Sequence, residues 1–441
     1  MRVVVVNWRD LGHRQAGGAE TYAAGIAHAM AARGHDVTYL TARDAGQRRR
    51  DTDGPVTVRR RGGRWTVYPL ALLWLLLRRR RVGMVVDCQN GIPFFTPLAV
   101  GGARVVQVVH HVHTDQFGVH FPAWLAALGR LLEGPVARRV YRNATTVAVS
   151  PSTVDAMRLR LGWRGPVHVV PNGNTTAPPG LPPRDPAPTV VCLGRLVPQK
   201  RVDRLVDAVA RLLPQLPDLR LHVIGGGPEH AALLARAAPL GAAVVVHGRV
   251  SEAEKSALLG RAWLNVTLSD GEGWGLAVLE AAAHGVPTLC RDVPGLRDSV
   301  RHGATGWHLP PGAPVADALR RVLADLADPV AAARTAEHCR DWAARFDWAA
   351  TGARFAEVAE RHAREGVRGG WLPGMPEATV AEFTPSDEPA LLVEQCAPAE
   401  LLDELRAAGA RHVTVRAASA TERLLGRAIP ADTHDRPHSR S

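Results

Sequence analysis

Residues 171–189 read PNGNTTAPPGLPPRDPAPT, with proline at seven of the nineteen positions. Proline fixes φ and lacks an N–H, so neither a helix nor an inner strand persists through such a run. The stretch splits the chain, and the parts on either side share one pattern: short Val-rich segments alternating with amphipathic Ala/Leu/Arg segments. Short apolar runs of this kind read as strands buried on both faces, and their alternation with helices predicts parallel sheets built from βαβ units. At 441 residues the chain is also too long for one core, since domains average ~150 residues.

Before the break, VVVVNW, a helix from about Ala19 to Arg33, and DVTYLTA form a first βαβ unit, with further strands at 84–87, 104–109, 145–149 and 167–170. After it come TVVCLGR, a helix over 202–213, LRLHVIG, a helix over 228–238, AVVVHG, a helix over 251–261, and AWLNVTL. The expected architecture is therefore α/β: two Rossmann-like domains, 1–170 and 190–340, joined by the linker 171–189 and facing each other across a cleft. Open α/β sheets place ligands outside the carboxyl ends of their strands, which puts the site in that cleft. Residues 341–366 read as helical, with Trp342, Phe346, Trp348 and Phe355 as anchors. A small α/β extension is expected over 370–430, from the strand ALLVEQ, the helix PAELLDELRAAG and the strand HVTVRA, followed by a disordered tail at 431–441.

Hydrophobic residues make up 46% of the chain and charged residues 22%, a globular composition rather than a disordered one. The formal net charge of +12 fits nucleic acid, an anionic membrane surface or a polyphosphate ligand, and equally a solvated Arg-rich surface. Nucleic acid is not expected, because no recognisable binding module and no interleaving of aromatic with basic residues accompanies the charge. The cysteines Cys88, Cys192, Cys290, Cys339 and Cys396 are scattered with no CxxC spacing, which points away from a disulfide framework or zinc site and towards a reducing cytoplasm. MRVVVVNW is too short for a signal h-region and is shaped for a buried strand. No segment reaches the ~18 uncharged apolar residues of a transmembrane helix.

The chemistry concentrates in SDGEGWGLAVLEAAAHGVPTL, residues 269–289. This reads as a tight glycine loop and then a helix from Leu276 to about His284. The glycines permit close backbone approach, and the helix start offers unpaired N–H groups and a positive dipole end, both suited to phosphate. Gly273, Trp274, Gly275 and Leu276 form the candidate phosphate-facing stretch; Glu272 stands at its mouth and Glu280 in the second turn below. A carboxylate only accepts hydrogen bonds, so the two acids read as clamps for the hydroxyls of a nucleotide-linked sugar. Taken singly, Glu280 reads first as a surface helix residue, and Glu272 equally as a turn cap.

LGRLVPQKR, residues 193–201, follows the first strand of the second domain. Arg195 can fork two phosphate oxygens and Lys200 adds a mobile point charge, a pair suited to a departing diphosphate. In the first domain, Gly17 and Gly18 precede a helix and let backbone amides face a phosphate or sugar; a plain tight turn explains them nearly as well, and no GxGxxG is present. His110, His111 and His113 follow a buried strand directly. No further ligand set at metal spacing joins them, so no metal is expected, and one imidazole at the cleft would orient a sugar and share a proton.

Together these residues resemble the family-4 glycosyltransferases, retaining nucleotide-sugar enzymes with the GT-B fold, over about residues 1–365. GGAE (17–20) resembles the family's N-terminal glycine loop; SPST (150–153) and PNG (171–173) resemble its inter-domain boundary. GRLVPQK (194–200) matches the donor-diphosphate motif, hence Arg195 and Lys200, and GEGWGLAVLE the E-x7-E signature. The resemblance makes Glu272 the carboxylate at the reacting sugar and Glu280 the ribose ligand. It maps the family's N-domain histidine to His110, with His111 as the competing register. Asn90, His111 and His113 are candidate acceptor or sugar contacts. RFDW (345–348) resembles the element before a final helix that crosses back to the first domain. Asp298 departs from the pattern, standing where relatives often have Glu.

The implied activity is transfer of a hexose-type sugar from a nucleotide-diphosphate donor, UDP or GDP type, to a hydroxyl acceptor on a lipid carrier, polysaccharide or small glycoside. No cofactor and no metal are expected. Front-side attack with retention needs no covalent nucleophile, so positioning and leaving-group stabilisation carry the reaction. The run VYPLALLWLLLRRRRVG, residues 67–83, is too short to span a bilayer. It is a candidate for an anionic membrane surface, which would place the protein at the inner face of a membrane; a buried helix capped by its arginines is the other reading. From a different class, the alternative is a non-catalytic nucleotide-sugar or polyanion-binding protein of the same fold.

Overall fold

The structure, a computed structural model, describes residues 1–14, 16–114, 117–118 and 121–365, together with the strands Thr379–Phe383 and Val413–Ala417. The first sheet contains β1 (Arg2–Val6), β2 (Asp36–Thr41), β3 (Arg50–Asp53), β4 (Val56–Arg60), β5 (Met84–Asn90), β6 (Val105–His111), β7 (Thr145–Ala148) and β8 (Val167–Val169), in the order β3-β4-β2-β1-β5-β6-β7-β8. All its pairs are parallel except β3 with β4. The four valines of β1 are fully buried and divide by the pleat. Val3 and Val5 join a core with Tyr22, Ile26 and Met30 of helix α1 (Gly18–Ala32). Val4 and Val6 join one with Val67, Trp74 and Leu75 of helix α2 (Val67–Arg78). Helices on both faces explain why these strands read as continuous apolar runs.

The second sheet contains β9 (Thr189–Leu193), β10 (Arg220–Ile224), β11 (Val244–Gly248), β12 (Leu264–Thr267), β13 (Thr288–Arg291) and β14 (Gly306–Leu309). Its order, β11-β10-β9-β12-β13-β14, is the doubly wound arrangement in which the chain reverses direction across the sheet between the first and fourth strands. The crevice at the carboxyl ends of β9 and β12 is thus fixed by topology before any side chain is considered. The two Rossmann-like domains face each other across it.

The helix Trp348–Glu365 returns to the first domain. Phe355, Ala356 and Ala359 are fully buried in the core that holds Val3 and Tyr22; Glu360 accepts from Arg33 Nε at 2.6 Å and the His362 ring meets Thr145 Oγ1 at 2.8 Å. The two chain crossings between domains run side by side: Asn174 bridges to Asp347, and Thr351 Oγ1 donates to the Pro171 carbonyl.

Several elements went unread in the sequence. Among them is the β3–β4 hairpin, because Arg50–Asp53 has no apolar residue and lies at the sheet edge. So are the short strands β13 and β14 and the helices Ala123–Leu131, Pro151–Leu161 and Val315–Asp325. In the extension, Val413–Ala417 pairs antiparallel with Thr379–Phe383; the strand ALLVEQ, the helix PAELLDELRAAG and the tail lie outside the described residues.

Candidate active site

Each sheet delivers its candidate residues at strand ends. After β9 the chain turns through Gly194 and Arg195 to a 3-10 turn at Pro198–Lys200. After β12 it runs through the 269–275 loop into the helix Leu276–Ala283. Because β9 and β12 are neighbours, Asp270 N–H reaches the Gln199 carbonyl at 2.9 Å and the two loops form one wall. Opposite them, β1 leads into the glycine loop before α1, β5 ends at Asn90, and β6 ends at His110 and His111. The resulting cavity has a volume of about 450 Å3. It is lined by Arg195, Lys200, Glu272, Gly273, Trp274, Gly275, Leu276 and Glu280 from the second domain, and by Gly17, Gly18, Asn90, His110, His111 and His113 from the first. Every candidate residue therefore borders one space.

Charge sets the character of the wall. Lys200 Nζ forms an ion pair with Glu272 Oε1, and Ser269 Oγ donates to the same oxygen at 2.8 Å. Burial pushes the Glu272 carboxyl up, but attraction to Lys200 and the two hydrogen bonds outweigh it, leaving Glu272 below its ordinary value and ionised at neutral pH. Glu280 shows the opposite balance. Burial raises its pKa, and the Lys255 ammonium at 3.2 Å offsets this only in part. Arg195 is exposed, with its guanidinium beside Gly17. The helix starting at Leu276 leaves its first N–H groups without intrahelical acceptors, so backbone donors and two cations face the same space.

The histidines separate by environment. His110 is buried, edge-on to Tyr22 at 5.2 Å between ring centroids, and burial lowers its pKa to about 4, so its imidazole is neutral near pH 7. Its Nε2, Trp274 Nε1 and Asn172 Oδ1 are buried without a hydrogen-bond partner among the described residues. All three belong to residues that line the cavity, and buried polar atoms left unpaired are costly unless something completes them. His111 lies against Gly271 and adds to the positive field on Glu272. His113 is held by Glu133, whose carboxylate accepts the His113 N–H at 2.7 Å. Among the described residues no group of three or more His, Cys, Asp or Glu side chains is placed to hold a metal.

Sequence reasoning missed the parts that hold this wall together. Glu20 accepts the Gly17 N–H at 2.7 Å and is itself paired with Arg9 at 3.0 Å, both acid and base buried; the Gly17-to-Glu20 spacing was its available signal. Arg249, at the end of β11, lines the cavity and donates to the Arg14 carbonyl across the cleft. Asp298 accepts from Ser152 N–H at 2.9 Å, an inter-domain bond that accounts for a carboxylate there. At Gly273 a Cβ would collide with the His110 carbonyl, so the close approach of the two domains requires glycine at this position.

Residues 16–177 match the family model described as Glycosyltransferase Family 4, and residues 175–342 the one described as Glycosyl transferases group 1. A GDP-mannose-dependent alpha-(1-6)-phosphatidylinositol monomannoside mannosyltransferase of Mycolicibacterium smegmatis is 38% identical over 192 residues, which cover 40% of this chain and 50% of the relative. The chain thus spans about half the length of that relative. A glycogen synthase of Mycobacterium tuberculosis is 27% identical over 394 residues, 81% of this chain and 94% of the relative. In three dimensions the chain is similar to a sucrose-phosphate synthase from Thermosynechococcus elongatus, with a TM-score of 0.68 at 20% identity, over 82% of this chain and 98% of that one. With two successive family models spanning residues 16–342 and a cleft between paired Rossmann-like domains, the chain belongs to the family-4 glycosyltransferases of the GT-B fold.

Proposed function

We propose that this protein transfers a sugar from a nucleotide-diphosphate donor to a hydroxyl acceptor with retention of anomeric configuration. The observation that carries the reading is the convergence of Arg195, Lys200, Glu272 and Glu280 with His110 around one cavity. In this reading the diphosphate lies over the start of the helix Leu276–Ala283, where backbone N–H groups, Arg195 and Lys200 neutralise the charge that grows as the glycosidic bond breaks. Lys200 is already oriented by Glu272, so little reorganisation accompanies the reaction. Glu272, held ionised, accepts hydrogen bonds from sugar hydroxyls, and Glu280 accepts them from the ribose. His110, a neutral imidazole, orients the sugar without adding a charge that would bind the diphosphate in the wrong place. The leaving phosphate oxygen takes the acceptor proton, so no enzyme nucleophile is needed, and the cation pair does the work a metal would do.

GDP-mannose is the first donor to test, since the mannosyltransferase relative depends on it; UDP-linked hexoses are the second. The acceptor side includes a surface for an anionic membrane. Leu70, Leu73, Leu76 and Leu77 of α2 are exposed, and Arg78–Arg81 follow them. No helix among the described residues is long and apolar enough to cross a membrane, so attachment would be at the surface. The experiment is a panel of nucleotide sugars, with and without EDTA, assayed for nucleotide release and for the anomeric configuration of the product by NMR. Release that persists in EDTA with a retained anomer is expected; no release with any donor, or an inverted anomer, overturns the reading.

A further inference from the structure

Away from the cleft, a second cavity of about 580 Å3 carries six arginines on its wall: Arg43, Arg49, Arg50, Arg59, Arg60 and Arg61. It lies at the outer edge of the first sheet, where β4 pairs with β2 on one side and with β3 on the other. The backbone beneath it is fixed: Arg43 N–H donates to the Gly62 carbonyl at 2.9 Å, Arg60 to Arg49 at 2.9 Å and Arg61 to Thr41 at 2.8 Å. Arg60 is neutralised by Asp10 and by Asp51 at 3.1 Å. No carboxylate among the described residues pairs with the other five.

The register of the hairpin sharpens the imbalance by setting Arg50 directly opposite Arg59. Like charges so placed on antiparallel strands destabilise the pair. Burial, and then repulsion from Arg50, Arg78, Arg61 and Arg2, holds the Arg59 guanidinium below its ordinary pKa. A phosphate group answers both features, since each guanidinium fork can take two of its oxygens and its charge cancels the repulsion. We propose that this cavity is a second anion site, which binds a phosphate ester or diphosphate through Arg50, Arg59 and their neighbours, separately from the sugar-transfer cleft. The same chemistry has two sources. One is a soluble phosphorylated molecule. The other is a lipid headgroup, because Leu70 of α2 borders the cavity and the exposed Leu73 and Leu77 continue along that helix.

The test uses the full chain carrying Arg195→Ala and Lys200→Ala, so that the cleft does not contribute, and compares it with the same chain also carrying Arg50→Thr and Arg59→Thr. Inorganic pyrophosphate is titrated by calorimetry, and co-sedimentation is measured with phosphatidylcholine vesicles with and without phosphatidic acid. Pyrophosphate binding that weakens at least ~tenfold in the Thr pair supports a soluble ligand. Binding only to phosphatidic acid vesicles, lost in the Thr pair, supports a headgroup. Without anion, the Thr pair should melt at the same or a higher temperature because the repulsion is gone; a lower Tm contradicts that repulsion and counts against the site. No binding to either probe, or equal binding by both chains, overturns the proposal.

Discussion

Lys200 and Glu272 orient each other, and the worth of each depends on its partner. Removing the lysine leaves a half-buried carboxylate unpaired, whereas removing the acid frees the lysine to follow the diphosphate; the two substitutions should therefore not be equivalent. His110 offers a cleaner test at this scale. Unfolded, it titrates near 6.5; folded, burial lowers it to about 4. Between those values the unfolded chain holds a proton that the native one does not, so stability rises with pH across this window and is lost as pH falls through it. His110→Phe, which preserves an aromatic contact with Tyr22, should flatten the dependence of unfolding free energy on pH between 4 and 6.5 by about one proton per molecule. The half-buried His168 and the buried His362 are also lowered by burial, so the readout is the difference between variant and parent. Identical slopes would show that His110 is not buried neutral.

At the scale of elements, the active parts are loops at strand ends, and their value lies in how closely they meet. Gly273→Ala places a Cβ against the His110 carbonyl of the other domain. The two halves would have to part by about an ångström, and misplacement of that size can cost about a hundredfold in rate. The expected outcome is such a loss in kcat/KM with a Tm close to the parent's, since the collision is with a single carbonyl of the facing domain; full activity would show that this approach is not needed. The sequence carried the buried strands well because β1, β9 and β12 are short apolar runs with helices on both sides. It carried Arg195, Lys200, Glu272 and Glu280 because local spacing ties them to a strand end and a helix start. It did not carry the partners of Arg249 and Asp298, which are backbone groups on the other domain, nor the pairing of Glu20 with the Arg9 side chain, nor β3, a strand of four charged or polar residues held by pairing with β4 and by His28 at Asp53. His110 and His111 could not be told apart until the register of β6 set one into the core against Tyr22 and the other towards Gly271.

On the scale of the molecule, the two domains are tied at adjacent chain crossings near Asn174 and Asp347 and by the final helix, which buries Phe355 in the first domain's core. Between them an apolar seam buries Trp274 and Leu279 of the second domain in the core that holds Val149 and Val170 of the first, and local polar bonds flank it: Ser152 with Asp298, Arg249 with the Arg14 carbonyl, Asn174 Nδ2 with the Leu279 carbonyl at 2.9 Å. Under the proposed function, any closure that brings donor to acceptor would bend at the paired crossings, where the fewest strands of chain join the domains. The central claim is that the cation pair at the end of β9 stabilises a departing diphosphate in the closed cleft. The most direct measurement is kcat/KM for sugar transfer by the parent and by Arg195→Ala/Lys200→Ala, with Tm recorded for both. The account expects a loss on the order of a thousandfold or more at nearly unchanged Tm; transfer at the parental rate by the double variant would contradict it.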